Sequence, residues 1–152
     1  MPFRFRLARV LEWYDRQYQM EANRLRQCAE RAAGAHQELV RHRESRVASE
    51  NQLLQLESLH GNDFRARELY RKRSLLEESR LIRICRDADK DLEMQRSAAL
   101  SGRRRVLLVE KLRDRKRDEF NYLASRDLEQ AAADSWLAGF ARSLNEDDNT
   151  RG

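Results

Sequence analysis

The sequence predicts an all-α protein in which two long helices form an antiparallel coiled-coil hairpin. Its 152 residues include only one proline and five glycines, too few turn residues for a many-stranded sheet. Charged residues make up 38% of the chain, compared with roughly 25% in ordinary globular proteins. The apolar residues recur with helical spacing, which is typical of one helix packing along another.

The first predicted helix spans about residues 2–59. From Leu7 onward, apolar residues occupy the a and d positions of a heptad, and we call this stripe the seam. It contains Leu7, Leu11, Tyr14, Tyr18, Leu25, Cys28, Ala32, Ala35 and Leu39, with Glu21 interrupting it. After Leu39 we expect the seam to slip by one position, to Val40, Val47 and Leu54, because straight-helix drift is not always absorbed by supercoiling.

A turn is expected at about residues 60–63. Gly61 can adopt the left-handed conformation that ends a helix, and Asn62 or Asp63 can cap the helix that follows. The predicted turn separates the two arms of a single hairpin domain, residues 1–142.

The second predicted helix spans about residues 63–142, and the polar tail 143–152 is expected to fray. Its apolar residues form a second seam that packs against the first. This seam contains Leu69, Leu75, Leu76, Ile82, Cys85, Leu92, Ala99, Val106, Val109 and Leu112.

The hairpin also predicts which residues face each other. Both helices rise by about 1.5 Å per residue, so facing residues should have position numbers that sum to about 123. The rule pairs Leu39 with Ile84 and Val47 with Leu76, so that apolar residues meet. It also places Cys85 opposite Glu38.

Few residues have the arrangement that catalysis or metal binding needs. The rule separates Cys28 from Cys85 by roughly 15 Å along the helices, too far for a disulfide. His36, His42 and His60 are expected at the surface without further zinc ligands nearby. A two-helix rod offers no concave active site and the sequence has no phosphate-binding loop, so we expect no enzymatic activity, no cofactor and no metal.

The net charge of +5 comes from 31 basic and 26 acidic residues, and it favours acidic partners weakly. The stretch "RRRVLLVEKLRDRKRDEF", residues 103–120, contains eight of the basic residues. A leucine-zipper DNA reader concentrates its basic residues in one block ahead of the leucines, whereas here they alternate with apolar and acidic residues. We therefore expect a solvated helix face or a protein-binding face and no nucleic-acid binding.

The sequence lacks the features of secreted and membrane-spanning chains. No apolar run approaches 18 residues, and arginines interrupt the N-terminal stretch "MPFRFRLARVLEW" where a signal peptide would be apolar. We expect a cytoplasmic protein with reduced thiols and no direct membrane insertion.

Three motifs resemble those of the FliJ family of flagellar type III export proteins. The N-terminal "FRFRLARVLEWYDRQ" is similar to the family's F-x-F-x-L-x-x-V-L opening, and "LVEKLRDRKRDEF" resembles its K-L-x-x-R-x-x-x-E-aromatic landmark. The segment "DLEQAAADSWLAGFA" is similar to the closing segment. Gly102 and the Arg103–Arg105 triplet do not match the family pattern, and the turn "HGND" is shorter than the usual hinge.

The resemblance implies a non-enzymatic rod that serves as the central stalk and regulator of the hexameric export ATPase. It also implies contacts with the cytoplasmic domain of the export gate and with export chaperones, on the cytoplasmic face of the inner membrane. The implied ATPase-ring contacts are Phe3, Phe5, Leu7, Leu11, Arg113, Arg115, Lys116, Arg117 and Phe120. The implied gate contacts are Phe64, Leu69, Tyr70 and Leu75. The same pattern would suit the stalk of a virulence-type secretion system or a generic coiled-coil scaffold.

Overall fold

A computed structural model shows an all-α helical hairpin, with two long helices packed against each other. It describes residues 2–55 and 60–149, and side chains as far as Ser143. Helix α1 spans Ala8–Leu54 and helix α2 spans Gly61–Asn149. No strand occurs within these described ranges. The predicted fold class is therefore confirmed.

The helix bounds differ from the predicted ones. α1 begins at Ala8, because residues 2–5 are non-helical and the first helical hydrogen bonds are those from Ala8 N to Phe5 O (3.2 Å) and from Leu11 N to Leu7 O (2.9 Å). α1 ends at Leu54, and residues 56–59 of the predicted helix lie outside the described residues. α2 continues to Asn149 instead of ending at Arg142.

The predicted role of Gly61 is wrong, because this residue begins α2. No described glycine has a positive φ angle, so Gly61 does not end a helix in the left-handed conformation. The helix start is instead organised by Asp63, whose Oδ2 accepts a hydrogen bond from the backbone N–H of His60 at 3.1 Å. This is half of a capping box, and it places a carboxylate where the helix dipole favours negative charge.

The chain divides into two units. Unit 1 contains Met1–Trp13 and Arg105–Gly152, and unit 2 contains Tyr14–Arg104. Each unit combines a part of α1 with a part of α2.

The core of unit 2 is a thin apolar seam of mostly small residues. Ala35, Leu39, Leu81 and Cys85 form one buried cluster, with Ala88 packed against it. Small residues allow the two helices to approach closely, and larger ones fill the space between them. Burial is confined to this stripe, because a pair of helices can cover only one face of each other.

The predicted slip of the α1 seam is wrong. Val40 and Val47 are about half exposed and Leu54 more so. The seam instead keeps an unbroken heptad after Leu39, through four positions that are half-buried, namely His42, Arg46, Ser49 and Leu53. The strict heptad is the repeat that supercoiled helices keep, even though its phase here selects polar side chains over the neighbouring valines.

The α2 seam differs from the predicted one in its N-terminal part. Cys85, Ala99 and Val106 are buried, and Leu92 and Val109 half-buried, as predicted. The predicted members that are exposed instead are Leu69, Leu75, Leu76, Ile82 and Leu112. In the N-terminal part of α2 their places are taken by a heptad that runs through Ser74, Glu78 and Leu81, whereas beside Leu112 the half-buried residue is Arg113.

Contacts between the helices of unit 2 show that they are antiparallel. A Cβ on Gly102 would lie 3.6 Å from the Tyr18 Cα, and His36 contacts Asp89. Further pairs join Arg43 to Glu78, Ser49 to Tyr70 and Glu21 to Gln95. The position numbers of these pairs sum to between 116 and 125, with a mean of about 120, roughly three below the predicted value. The fold-back was therefore predicted correctly, but the register was not.

Candidate protein-binding surfaces

The N-terminal residues and α2 form an apolar groove within unit 1. The rings of Phe3 and Phe120 lie 5.7 Å apart and are tilted by 50°, a favourable aromatic geometry. Around them lies a groove of about 1010 Å³, which we call the N-terminal groove. It is lined by Pro2, Phe3, Arg4, Phe5, Arg6, Leu7, Leu112, Lys116, Glu119, Phe120 and Leu123.

The groove contains several of the residues that the resemblance implied for ring binding. Phe3, Phe5, Leu7, Lys116 and Phe120 all line it. Phe3 and Phe5 are half-buried, whereas the other three are exposed. Two landmarks that are distant in the sequence therefore meet at one surface. This juxtaposition follows from the antiparallel fold-back, which brings the N-terminus beside the later part of α2.

The remaining implied ring contacts do not line the groove. Leu11 is half-buried. Arg113 donates a hydrogen bond to Asp114 Oδ1 at 3.1 Å, and Arg117 approaches the same oxygen at 3.7 Å. Arg115 is exposed and makes no ion pair within the described part of the chain.

Acidic residues partly neutralise this basic surface. Lys116 Nζ lies 2.7 Å from Glu119 Oε2, in addition to the two arginine contacts with Asp114. Exposed pairs of this kind contribute roughly 0–1 kcal/mol, so a partner carboxylate can replace the local one at little cost. The surface can bind an acidic partner, but its positive electrostatic potential is weaker than the number of arginines suggests, because the neighbouring carboxylates offset part of the charge.

The four implied gate contacts lie near the start of α2, in unit 2. Phe64, Leu69, Tyr70 and Leu75 are all exposed. Phe64 and Tyr70 line one shallow groove of about 410 Å³, and the Tyr70 hydroxyl donates a hydrogen bond to Ser49 Oγ at 3.2 Å. Leu69 and Leu75 do not line this groove. The structure thus brings two of the four residues together.

A cluster of polar residues replaces the apolar seam beside the implied gate contacts. We call it the polar layer; it contains His42, Arg43, Arg46, Ser74 and Glu78. Glu78 accepts hydrogen bonds from Arg43 Nε at 2.8 Å and from Arg46 Nη1. His42 Nε2–H donates to the Ser74 carbonyl oxygen at 3.0 Å; the ring nitrogen must be the donor because a carbonyl only accepts.

The polar layer is held together by charge. The hydrogen bond from Arg43 lowers the pKa of the Glu78 carboxyl below its ordinary value of 4.5, and the charges of Arg46, Arg43 and His42 add to this effect while burial opposes it. Arg46 Nε is buried without a hydrogen-bond partner among the described residues. Sequence reasoning missed this layer, although the unbroken heptad from Leu39 to Leu53 indicates it.

The histidines and cysteines differ in part from expectation. His36 and His60 are exposed as predicted, but His42 is half-buried in the polar layer. Cys28 and Cys85 are free thiols, half-buried and buried respectively. No group of three or more potential metal ligands occurs among the described residues.

Gly102 and Arg103, the first residue of the arginine triplet, also have a defined environment in unit 2. The Arg103 guanidinium lies 5.7 Å from the centre of the Tyr18 ring, and its Nη1 is 3.4 Å from the Tyr18 hydroxyl. A cation over an aromatic face is attracted to it. Gly102 lies against the same tyrosine. At least one arginine of the triplet therefore contributes to packing between the helices.

Within residues 2–55 and 60–149, no helical stretch combines the length and the hydrophobicity that a membrane span requires. No known family, curated protein or solved structure matches this chain.

Proposed function

We propose that this chain is a non-enzymatic stalk protein of the flagellar type III export apparatus, which binds the hexameric export ATPase through the N-terminal groove. The proposal rests on one observation above the others. Two of the three motifs of the FliJ resemblance, near Phe3 and Phe120, meet in a single aromatic-lined groove.

The physical character of the groove suits a protein partner. It exposes aromatic and aliphatic side chains beside two arginines and a lysine. Aromatic residues and arginine are the types among these that are enriched at the centres of protein interfaces. The exposed cations near it would steer an acidic surface toward the apolar anchors. Apolar contacts would then provide most of the affinity, and the basic residues would provide orientation and speed of association.

The gate contact belongs to a separate surface in unit 2. Phe64 and Tyr70 present aromatic rings beside a shallow groove, and Leu69 and Leu75 add exposed aliphatic surface on the same helix. We propose this surface for the cytoplasmic domain of the export gate. A partner there would bind independently of the N-terminal groove, because the two surfaces share no residues.

A stalk of a virulence-type secretion system is the second candidate, since it would use the same groove in the same way. A generic coiled-coil scaffold is the third. The identity of the ATPase that binds separates the first two, and the absence of any bound ATPase supports the third.

The experiment is a pull-down from bacterial cytosol with identification of the largest bound ATPase. The test variant carries Arg113→Glu, Arg115→Glu and Arg117→Glu. We expect it to lose most of the ATPase recovered by the unmodified chain, because three reversed charges would repel an acidic partner.

The matched control is Arg83→Glu, Arg86→Glu and Lys90→Glu, which reverses three exposed charges of α2 in unit 2. We expect this variant to retain the ATPase. Equal recovery of the ATPase by both triple variants, with motility unaffected, would contradict the assignment.

A further inference from the structure

Residues 2–7, which we call the N-terminal strap, lie beside α2 ahead of the start of α1. Aromatic and basic side chains alternate along the strap. Phe3 and Phe5 are half-buried, whereas Arg4 and Arg6 are exposed. This is the pattern of an extended chain, in which successive side chains point to opposite sides. The aromatic rings therefore anchor the strap, and the arginines remain available to a partner.

The strap leaves one face of α2 partly uncovered. Leu112, Phe120 and Leu123 line the N-terminal groove and are 39%, 37% and 55% exposed. Lys116 and Glu119 complete this wall of the groove, so the five residues have the i, i+4, i+7, i+8, i+11 spacing of one helix face. The wall runs for about 16 Å along α2, or roughly three helical turns.

This wall continues the face with which α2 packs against α1. Val106 is buried and Val109 half-buried in the seam of unit 1. Phe120 lies two heptads after Val106, and Leu123 lies two heptads after Val109, so both keep the phase of the seam past the start of α1 at Ala8. A helix face that packs against one helix has the ridges and grooves to accept another.

A helix is the partner element that suits this wall. The groove offers about 1010 Å³ between the strap and α2, which admits the large side chains of one apolar helix face. An extended peptide binds instead by adding a strand to the edge of a sheet. No strand occurs within residues 2–55 and 60–149 to provide such an edge.

The charge around the groove favours an acidic helix. Residues 2–13 and 105–120 include nine basic and five acidic residues, a net charge of +4 in a chain whose total is +5. Among the lining residues, the single carboxylate is that of Glu119, which already lies 2.7 Å from Lys116. Arg4 and Arg6 make no ion pair within the described part of the chain, so a partner carboxylate can bind them without displacing another.

We infer that the N-terminal groove binds an acidic amphipathic α-helix, which lies along α2 from Leu112 to Leu123. Its apolar face packs against Phe120 and the two leucines, and its carboxylates lie beside Arg4 and Arg6. The inference rests on the proposed function, because it specifies the kind of element that the bound ATPase presents to the groove.

Two synthetic peptides of about 18 residues serve as probes, because shorter helices are only marginally stable in water. Both carry leucine at i, i+4, i+7 and i+11, with alanine at most other positions. The positions that flank the leucines hold glutamate in one peptide and lysine in the other. Fluorescence anisotropy measures the binding of each peptide to the full chain.

We expect the acidic peptide to bind about tenfold more tightly than the basic one, and added salt to reduce this difference. An acidic peptide that binds no more tightly than the basic one would overturn the inference.

Leu123→Glu and Leu128→Glu test where the acidic peptide binds. Leu123 lines the groove, whereas Leu128 is 72% exposed on α2 and does not line it. We expect Leu123→Glu to raise the dissociation constant of the acidic peptide about tenfold, and Leu128→Glu to leave it unchanged. Circular dichroism checks that both variants keep their helix content. Equal weakening by the two substitutions would contradict the proposed site.

Arg4→Glu combined with Arg6→Glu tests the selection by charge. We expect this variant to lose the preference for the acidic peptide, because the strap would then repel carboxylates. Arg83→Glu combined with Arg86→Glu is the matched control, since it reverses two exposed charges of α2 in unit 2. The control should keep the preference. A preference that survives in the strap variant would refute the role of the two arginines.

The peptides and the pull-down together separate this inference from the proposed function. Recovery of the export ATPase with equal binding of the two peptides would remove the inference alone. Selective binding of the acidic peptide, without any ATPase recovered from cytosol, would remove the proposed function and leave the acidic-helix site.

Discussion

The middle of unit 2 and its polar layer follow the same heptad but are filled with opposite kinds of residues. Around Ala35 and Cys85 the seam is apolar and buried. One or two heptads further toward the start of α2, the equivalent positions hold His42, Arg46 and Glu78, while valine and leucine neighbours are exposed. The phase of the helix pair, rather than local hydrophobicity, decides which residues are covered. A polar layer of this kind can fix the register at a cost in stability.

The largest effect is expected where the seam is apolar. Leu81 is 4% exposed and Leu76 is 72% exposed, although sequence reasoning assigned Leu76 to the seam and omitted Leu81. We expect Leu81→Ala to lower the free energy of unfolding by about 2–4 kcal/mol, because it leaves a cavity in a thin core. Leu76→Ala, the matched control, should change it by less than about 0.5 kcal/mol.

Urea unfolding followed by circular dichroism measures both variants. Similar destabilisation by the two would show that the comparison between covered and exposed leucines is wrong.

The next largest effect concerns the pairing within the polar layer. Glu78→Leu should destabilise the protein because it leaves Arg46 half-buried without its carboxylate partner. Adding Arg46→Leu should restore much of the stability, since two apolar residues at seam positions pack as the middle of unit 2 does. A double-mutant cycle measures the coupling between the two sites. Additive losses in the double variant would contradict the account.

The polar layer also predicts a pH dependence. Because the pKa of Glu78 is lowered in the folded protein, its stabilising contribution is complete above pH 4.5 and is lost as the pH falls through the lower, folded-state value. We expect Glu78→Gln to flatten the loss of stability below pH 4.5 relative to the unmodified chain. If the free energy of unfolding fell equally with pH in both proteins below pH 4.5, the assigned pairing of Glu78 with Arg43 and Arg46 would be contradicted.

The smallest effect is expected at Gly102. A Cβ there would meet Tyr18 at 3.6 Å, an ordinary packing distance, so Gly102→Ala should stabilise the protein by about 1 kcal/mol through helix propensity. Gly34→Ala is the matched control, because no atom lies within 4 Å of its added Cβ. The difference between the two in thermal unfolding isolates the packing against Tyr18. A destabilised Gly102→Ala protein would show that the helices approach too closely for a methyl group.

Much of the fold could be predicted from the sequence. The scarcity of proline and glycine, and the heptad from Leu11 to Leu39, were enough to indicate two long helices that fold back once. The error came from following hydrophobicity past Leu39 to Val40. A sequence shows which residues are apolar. Which heptad positions face the other helix depends on the packing of both helices together. That packing includes polar side chains such as Arg46, whose partner Glu78 lies on the opposite helix.

The candidate surfaces were predictable in outline only. The fold-back implied that Phe3 and Phe120 lie close together, and their rings are 5.7 Å apart. The ion pairs of Arg113 and Lys116 with neighbouring carboxylates depend on side-chain conformations that the spacing does not determine. The polar layer required knowledge of the register, because Glu78 is 35 residues from Arg43 in the sequence.

The most direct test of the hairpin register uses the native Cys85. In a Cys28→Ala background, Ala35→Cys places a thiol in the same buried cluster as Cys85. Glu38→Cys places one where a register summing to 123 would require it. Under mild oxidation we predict an intramolecular disulfide from residue 35 to Cys85 and little from residue 38, as read by mass spectrometry of the unreduced protein. Efficient cross-linking from residue 38 but not from residue 35 would contradict the register, and with it the seam and the polar layer.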